Sequence, residues 1–394
     1  MMNYVQDINS IMEKLDANVR ESIGMDTIMI ETGALSKIVP YVKQRGMKRI
    51  MLVADSQTYE VAAKQLEHYF KEDGTVEAST TILTANKVSD VVADEQTIVE
   101  LILAIQQHHP EVVIAVGSGT IHDVVRYAAH TISLPFISVP TAPSVDGFNS
   151  KGAPIIIRGF KKTIVAIGPD AVFADLNILV KAPKSLIAAG FGDILGKYTS
   201  LFDWKFGSLT NNEPYLPISE EITVNALHKC VRSADSIAAG EEAGIAHLMS
   251  ALIESGIAML IFGKSHPASG AEHHLSHYWE MEFIKQGYKQ LLHGAKVGVS
   301  CIVIASLYHR LAEQDFGLQP NVKPVVTEHW SEIKQLLSEL PSRQVLTELL
   351  AKVGGPTTID ELGVTQELCN LSLEQAHHIR IERYTLLHAY NTTE

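Results

Sequence analysis

The pattern of apolar and polar positions changes character near the middle of the chain. Up to about residue 180, short apolar runs alternate with stretches spaced for one face of a helix. The run Arg49-Ile50-Met51-Leu52-Val53-Ala54-Asp55 is apolar until it ends on a polar residue, as a strand buried on both faces does. A helical stretch follows from roughly Thr58 to Lys71, and residues 78–83 read as a second strand. Between Val91 and His108, the placing of Ile98, Leu101, Ile102 and Ile105 marks a helix. Residues 112–116 form a third predicted strand that runs into Gly117-Ser118-Gly119-Thr120 and another helix, and residues 136–140 form a fourth. Pro154-Ile155-Ile156-Ile157-Arg158 and Thr163-Ile164-Val165-Ala166-Ile167 flank Gly159-Phe160-Lys161-Lys162, which predicts a β-hairpin before a last strand at 171–174.

After Pro183 the texture turns helical through to His388, with Ser185 placed to cap a start at Leu186. Breaks fall at Asn211-Asn212-Glu213-Pro214, Ser265-His266-Pro267, Gln319-Pro320 and Gly354-Gly355-Pro356. Strand–helix alternation followed by helices alone predicts two domains. Residues 1–180 form an α/β domain with a mostly parallel nucleotide-binding sheet, and residues 181–394 form an all-α domain. The last residues, Asn391 to Glu394, are expected to fray.

Composition narrows the classes. A length of 394 residues suits two domains, and 46% hydrophobic residues supply cores large enough to exclude disorder. A net charge of -13 weighs against nucleic acid or an anionic membrane surface as the main partner, while a local cluster of cations could still hold an anionic substrate. The cysteines Cys230, Cys301 and Cys369 lack CxxC spacing and read as thiols in a reducing compartment. The N-terminal segment MMNYVQDINSIMEKLD carries acidic residues and no apolar signal core, and no run approaches the ~18 apolar residues of a membrane span. A cytoplasmic location without membrane insertion is the expectation.

Two regions carry candidate chemistry. Gly117-Ser118-Gly119-Thr120-Ile121-His122-Asp123 gives strand, tight turn and helix start, where glycines admit a pyrophosphate and free N–H groups face it. The pattern is neither GxGxxG nor GxxxxGK[ST], so alone it equally describes a plain turn. The polar loop Pro140-Thr141-Ala142-Pro143-Ser144-Val145-Asp146-Gly147, at the end of the neighbouring predicted strand, favours a ligand site. Asp55 either accepts from an adenosine ribose, favouring NAD over NADP, or caps a helix. The second region is Phe191-Gly192-Asp193, Glu272-His273-His274-Leu275-Ser276-His277 and Leu292-His293-Gly294. One carboxylate with imidazoles suits a divalent metal that keeps open positions for a substrate oxygen. His273 and His277 share a helical face; His274 points elsewhere and reads as structural or solvated. His266, before Pro267, is a rival ligand more naturally read as a loop residue.

These segments, with SVPTAPSVDGFNS, FGDILGK, SGAEHHLSHYWE and LHGAKVG in order, resemble the bacterial branch of the sn-glycerol-1-phosphate dehydrogenases. That branch lies within the superfamily of iron-type alcohol dehydrogenases, glycerol dehydrogenases and dehydroquinate synthases. The resemblance covers nearly the whole chain, and TAPSVDG with AEHHLSH is its specific part. It implies a dehydroquinate synthase-like fold and a homodimer. It implies that Asp193, His273 and His293 bind a divalent metal (nickel, zinc or iron), and that His277, Asp146 and Asp193 contact substrate, with His277 assisting proton transfer. Asp55, Gly117, Ser118, Gly119, Thr120, Ile121, Thr141, Ala142, Pro143, Ser144 and Ser150 would line an NAD(H) or NADP(H) site. The implied reaction is reversible reduction of dihydroxyacetone phosphate to sn-glycerol 1-phosphate, with the product entering an ether-lipid or related glycerolipid route. Lys151, Lys197, Lys264 and Lys296 are candidates for the substrate phosphate. Competing readings are a glycerol dehydrogenase acting on unphosphorylated polyol, a dehydroquinate synthase-like lyase that uses NAD without net redox change, and a non-enzymatic nucleotide-binding protein. Asp193, where dehydroquinate synthases usually carry a glutamate, speaks against the lyase.

Overall fold

A computed structural model describes residues 23–86 and 90–393 together with Ile8 and Glu13. The reading of the N-terminal segment, and the expected fraying at Glu394, fall outside the described residues. Six strands form one parallel sheet in the order β1-β8-β5-β4-β2-β3. They are β1 Thr27–Glu31, β2 Arg49–Ala54, β3 Glu77–Ile82, β4 Val112–Gly117, β5 Phe136–Pro140 and β8 Ala171–Asp175. β2, β4, β5 and β8 are buried almost throughout because both faces are covered. Ile50, Leu52 and Ala54 pack on one side with α1 (Ile38–Gln44) and α2 (Lys64–Asp73). Met51 and Val53 pack on the other with α3 (Glu95–His108) and α4 (Gly119–Ile132). A period of two that is apolar at both phases is why these strands read as unbroken runs.

Strand β1 escapes the sequence reading. It is an edge strand with only Ile30 buried, so it lacks the apolar run that marks the central strands. The strand ending at Asp55 is therefore the second, and the glycine turn follows the fourth. The hairpin is present as β6 (Gly152–Ile157) and β7 (Phe160–Val165), but its loop is only two residues. Arg158 and Gly159 take φ of 52° and 77°, a two-residue left-handed turn of the kind that matches strand twist, so Phe160 and Lys161 belong to the strand.

From Lys184 onward the chain is helical: α5 (Lys184–Leu195), α6 (Lys197–Asn211), α7 (Pro217–Arg232), α8 (Glu242–Phe262), α9 (Ala271–Gln286) and α10 (His293–Glu313). Shorter helices follow, among them α11 (Trp330–Ser338), α12 (Arg343–Lys352), α13 (Gln366–Gln375) and α14 (Leu386–Asn391). All four predicted breaks fall between helices. Helix α5 starts at Lys184 with Pro183 at its N-cap, so Ser185 lies inside the first turn and makes no cap. Two helices correct the reading that no run approaches the length of a membrane span. Both α8 and α10 have 21 residues and are long and apolar enough to cross a membrane, yet both lie largely buried in the core. Burial on every side removes the polar face that would have broken their apolar runs. All three cysteines are buried and free.

Candidate active site

The loops after β2, β4 and β5 open at the carboxyl edge of the sheet. The chain reverses direction of travel there, going from β2 to β3 on one side and then to β4 on the other. A Cβ on Gly117 would lie 2.5 Å from Ile121 Cγ1, so the turn into α4 needs a residue without one. Ser118 stands at the N-cap without bonding the helix through its side chain, and Ser118, Gly119 and Thr120 are half-buried. Thr141 N–H donates to Gly117 O at 3.1 Å, tying the two loops together. Thr141, Ala142, Pro143 and Ser144 are buried, and Ser150 is half-buried beside Gly147 and Gly152. His122 locks the turn from beneath, with Nδ1 2.9 Å from Ser118 O and Nε2 2.8 Å from Ser138 Oγ. Arg126 pins the next loop by donating to Gly152 O, Gly147 O and Phe148 O. Asp55 acts as a helix cap here: Oδ1 accepts from Gln57 N and Thr58 N at 2.9 and 2.7 Å.

The loop after β5 reaches the second region directly, because Asp146 N–H donates to Asp193 Oδ2 at 3.0 Å. Asp193 (α5), His273 (α9) and His293 (α10) each offer a ligand atom within 4.8 Å of the others. His273 Nε2 lies 3.9 Å from Asp193 Oδ1, and the His273 and His293 ring centroids are 5.3 Å apart. Ligands of one ion at ~2.1 Å each sit roughly 3–4 Å apart, so the three atoms fit a shared divalent cation with small adjustment. Close helix packing makes this possible. A Cβ on Gly192 would lie 2.4 Å from Gly294 O, and one on Gly294 would lie 1.8 Å from Ala189 O. These glycines adjoin Asp193 and His293, and their lack of a side chain lets α5 and α10 bring those ligands together.

Supporting groups fix the ligands. Glu272 Oε1 is 2.7 Å from His273 Nδ1, which leaves Nε2 free to face a metal. Burial opposes charge on Glu272. Its bonds from His273, Thr199 Oγ1 and Gly270 N–H outweigh that and hold the carboxyl below its ordinary value. Lys197, one turn after Asp193 and wholly buried, places Nζ 2.9 Å from Asp193 Oδ1 and 2.8 Å from Asp146 Oδ2. Burial disfavours its charge, but the two carboxylates prevail and raise its pKa. Ser255 Oγ also donates to Asp146 Oδ2, at 2.8 Å, and Asp146 Oδ1 has no hydrogen bond among the described residues.

His277 completes the face, its ring 6.2 Å from His273 and 6.0 Å from His293. Burial first, then Lys161, Arg380 and His293, push its pKa well below the ordinary value, so it is neutral near pH 7. His274 is fully buried, and neither ring nitrogen has a partner among the described residues, which makes it structural rather than solvated. His266 turns away from the cluster to Glu213, 3.6 Å distant, and packs on Phe262. Of the four lysines considered for phosphate, Lys197 is held by the two aspartates and Lys296 by Glu280 Oε2 at 3.0 Å. Lys264 is exposed, and Lys151 lies near Pro135 and Asp170 at the amino edge of the sheet.

Sequence reasoning missed Glu272, Lys161 and Glu280 as neighbours of the cluster, and it offered Lys197 for the substrate phosphate rather than as the partner of Asp193 and Asp146. The i, i+4 spacing of Asp193 and Lys197 was a usable signal. Lys161 was not findable, since it reaches Glu280 Oε2 at 2.8 Å only because the hairpin lies against α9.

A parallel nucleotide-type sheet joined to a helical unit that gathers Asp193, His273 and His293 defines a metal-dependent, dinucleotide-linked dehydrogenase class, and residues 29–183 match the family model for iron-containing alcohol dehydrogenase. The fold agrees with a probable glycerol dehydrogenase from Sinorhizobium meliloti, at TM-score 0.69 and 17% identity over 93% of this chain and 92% of that one. Glycerol dehydrogenase from Schizosaccharomyces pombe gives 0.68 and 19% over 94% and 85%. Relatives named as NAD(P)+ glycerol-1-phosphate dehydrogenases are far nearer in sequence. That of Geobacillus thermodenitrificans is 41% identical over 99% of this chain and 98% of its own. That of Geobacillus stearothermophilus is 44% identical over 94% and 93%. The chain belongs to the glycerol-1-phosphate dehydrogenase family.

Proposed function

We propose that this chain catalyses the reversible, NADH- or NADPH-dependent reduction of dihydroxyacetone phosphate to sn-glycerol 1-phosphate, with a divalent metal held by Asp193, His273 and His293. The observation that carries the reading is the convergence of those three side chains, His273 Nε2 being 3.9 Å from Asp193 Oδ1, in a member of this family. A bound divalent ion supplies Lewis-acid polarisation of the substrate carbonyl, and the dinucleotide supplies or accepts the hydride. Glu272 fixes the tautomer of His273, and Lys197 offsets the charge that Asp193 and Asp146 concentrate in a buried space. Asp146 Oδ1 is the acceptor for a substrate hydroxyl. Neutral His277 takes the proton of the hydroxyl undergoing oxidation at a ring nitrogen and returns one, directly or through water, in reduction.

Asp55, Gly117 to Ile121, Thr141 to Ser144 and Ser150 are the proposed dinucleotide contacts; Asp55 would use Oδ2, since Oδ1 serves the helix. The proposal extends to residues 1–180 as the dinucleotide-binding half and 181–394 as the metal- and substrate-binding half, to nickel, zinc or iron as the metal, and to a cytoplasmic homodimer that feeds glycerolipid synthesis.

The test is NADH oxidation by metal-stripped protein before and after adding nickel, zinc or iron, with dihydroxyacetone phosphate and dihydroxyacetone side by side. Metal-restored turnover on the phosphate ester, with little on the free ketone, supports the reading, and a chiral assay of the product assigns the enantiomer. Equal or better turnover of dihydroxyacetone favours a glycerol dehydrogenase. No net consumption of NADH or of NADPH with any metal rejects both dehydrogenase readings.

A further inference from the structure

The cations around the histidine face differ in what balances them. Lys197 lies between Asp193 and Asp146; Lys161 and Lys296 share Glu280; Arg126 and Arg383 pair with Asp123 and Glu213. Arg380 makes no ion pair among the described residues; Glu382 and Glu272 act on it only at longer range. It ends the turn Ala376–Arg380, which packs on α9, the helix that carries His273 and His277. Its Nη1 donates to Ser265 Oγ at 2.7 Å and Ser269 Oγ at 3.2 Å, and its other guanidinium nitrogens make no hydrogen bond among the described residues.

The two serines sharpen the observation. Each hydroxyl accepts from Arg380, and neither donates to any described residue, so each keeps an O–H to give. Ser269 is almost fully buried, at 4% exposure. The loop that carries both serines leads straight into α9 and His273. Donors therefore converge here without an acceptor: the remaining edge of a guanidinium and two hydroxyls. A partly buried guanidinium without an anion is costly, and its fork matches the oxygens of a phosphate. The loop that holds the two serines also reaches the metal face: its Ala268 O accepts from Lys197 Nζ at 3.2 Å, and Lys197 in turn holds Asp193 and Asp146.

We propose that Arg380, with Ser265 and Ser269, forms the subsite for the phosphate group of the substrate, a phosphomonoester dianion. The assignment rests on the proposed function for the identity of the ligand. The anion subsite itself rests on the geometry alone.

The test uses full-length protein as isolated and the variants Arg380→Gln, Arg380→Lys and Ser265→Ala. With dihydroxyacetone phosphate, Arg380→Gln should raise KM by about 30-fold or more, the scale of a lost charged hydrogen bond, and change kcat far less. With dihydroxyacetone the loss in kcat/KM should be at least about tenfold smaller than with the phosphate ester, because no phosphate is lost from the contact set. Arg380→Lys should recover part of the phosphate preference, and Ser265→Ala should lower it several-fold without removing the charge. Calorimetric titration with inorganic phosphate gives a readout independent of turnover, and binding should weaken about tenfold in Arg380→Gln.

Unchanged phosphate affinity in Arg380→Gln overturns the subsite. So does an equal loss on both substrates. If the wild type binds phosphate through Arg380 but does not turn over dihydroxyacetone phosphate, the subsite stands and the proposed function falls. Should Arg380→Gln fail to fold, Arg380→Lys and Ser265→Ala decide the matter by the same two readouts, and an unaltered phosphate preference in both rejects the proposal.

Discussion

Replacing Gly294 with alanine adds one methyl where α10 meets α5. The added Cβ would lie 1.8 Å from Ala189 O, and ordinary contact begins near 3.4 Å, so the helices must part locally by about 1.6 Å. The obstacle is backbone carbonyl on a buried helix and cannot rotate away. Overpacking of this kind costs about 1–3 kcal/mol of stability. The larger effect falls on chemistry. Gly294 follows His293 directly, and the facing helix carries Asp193, so separation stretches the ligand set. A misplacement on the order of 1 Å costs roughly 100-fold in turnover, and the metal site should lose occupancy with it. Gly294→Ala should therefore purify folded but metal-poor. Metal content by mass spectrometry, a urea midpoint and NADH-linked turnover measure the three parts separately. Full metal content with turnover within twofold of wild type would refute the claim that helix proximity sets the ligand geometry.

Other residues give sharper, narrower outcomes. Glu272→Gln keeps the shape of the partner to His273 but removes its charge, so metal affinity in a chelator competition should drop about 10- to 100-fold; an unchanged affinity means His273 is oriented by something else. His277→Ala should hold its metal and turn over slowly, and loss of metal instead would show that His277 is a ligand. Burial first, then Arg383, lowers the His266 pKa to about 3. The unfolded chain, with an ordinary histidine, then binds more protons between pH 6.5 and about 3; the stability contribution is complete above 6.5 and is lost as pH falls. His266→Gln should flatten the decline in stability between pH 6 and 4 by up to about 1.4 kcal/mol per pH unit, and parallel wild-type and variant curves would reject that account.

What was legible in the sequence follows from which positions repeat a period. The central strands announced themselves because both of their faces are covered. Edge strand β1 did not, since half-exposed residues carry no run. Asp193, His273 and His293 were assigned as a set through family resemblance, because spacing alone put His277 on the same helical face as His273 and left His266 as a lesser rival. Their separation in the fold is a matter of side-chain direction: His266 faces Glu213, and His277 stands one turn from His273 on the same face of α9. The cations were least legible. A lysine or arginine in sequence does not reveal its carboxylate, and pairing is what removed Lys197 and Lys296 and left Arg380.

The charge distribution gives an independent reason to favour a phosphorylated substrate. Lys197 offsets one of the two carboxylates Asp193 and Asp146, while Glu280 offsets one of the two ammonium groups Lys161 and Lys296. Buried Glu272 and half-buried Arg380 contribute one charge of each sign to the same region, while Glu382, which also acts on Arg380, is exposed to solvent. The protein groups thus come to near neutrality inside a chain whose net charge is -13. Lys296, lowered to about 8 by burial against the pull of Glu280, remains mostly protonated near neutral pH and does not change that balance. A divalent cation on the Asp193 set then leaves two positive charges uncompensated in a low-dielectric cleft. A neutral polyol brings no charge to cancel such an excess. A phosphomonoester brings close to two negative charges and cancels it. On this argument the cleft is matched to metal and dianion together, and an unphosphorylated ketone meets the metal without the charge that balances it.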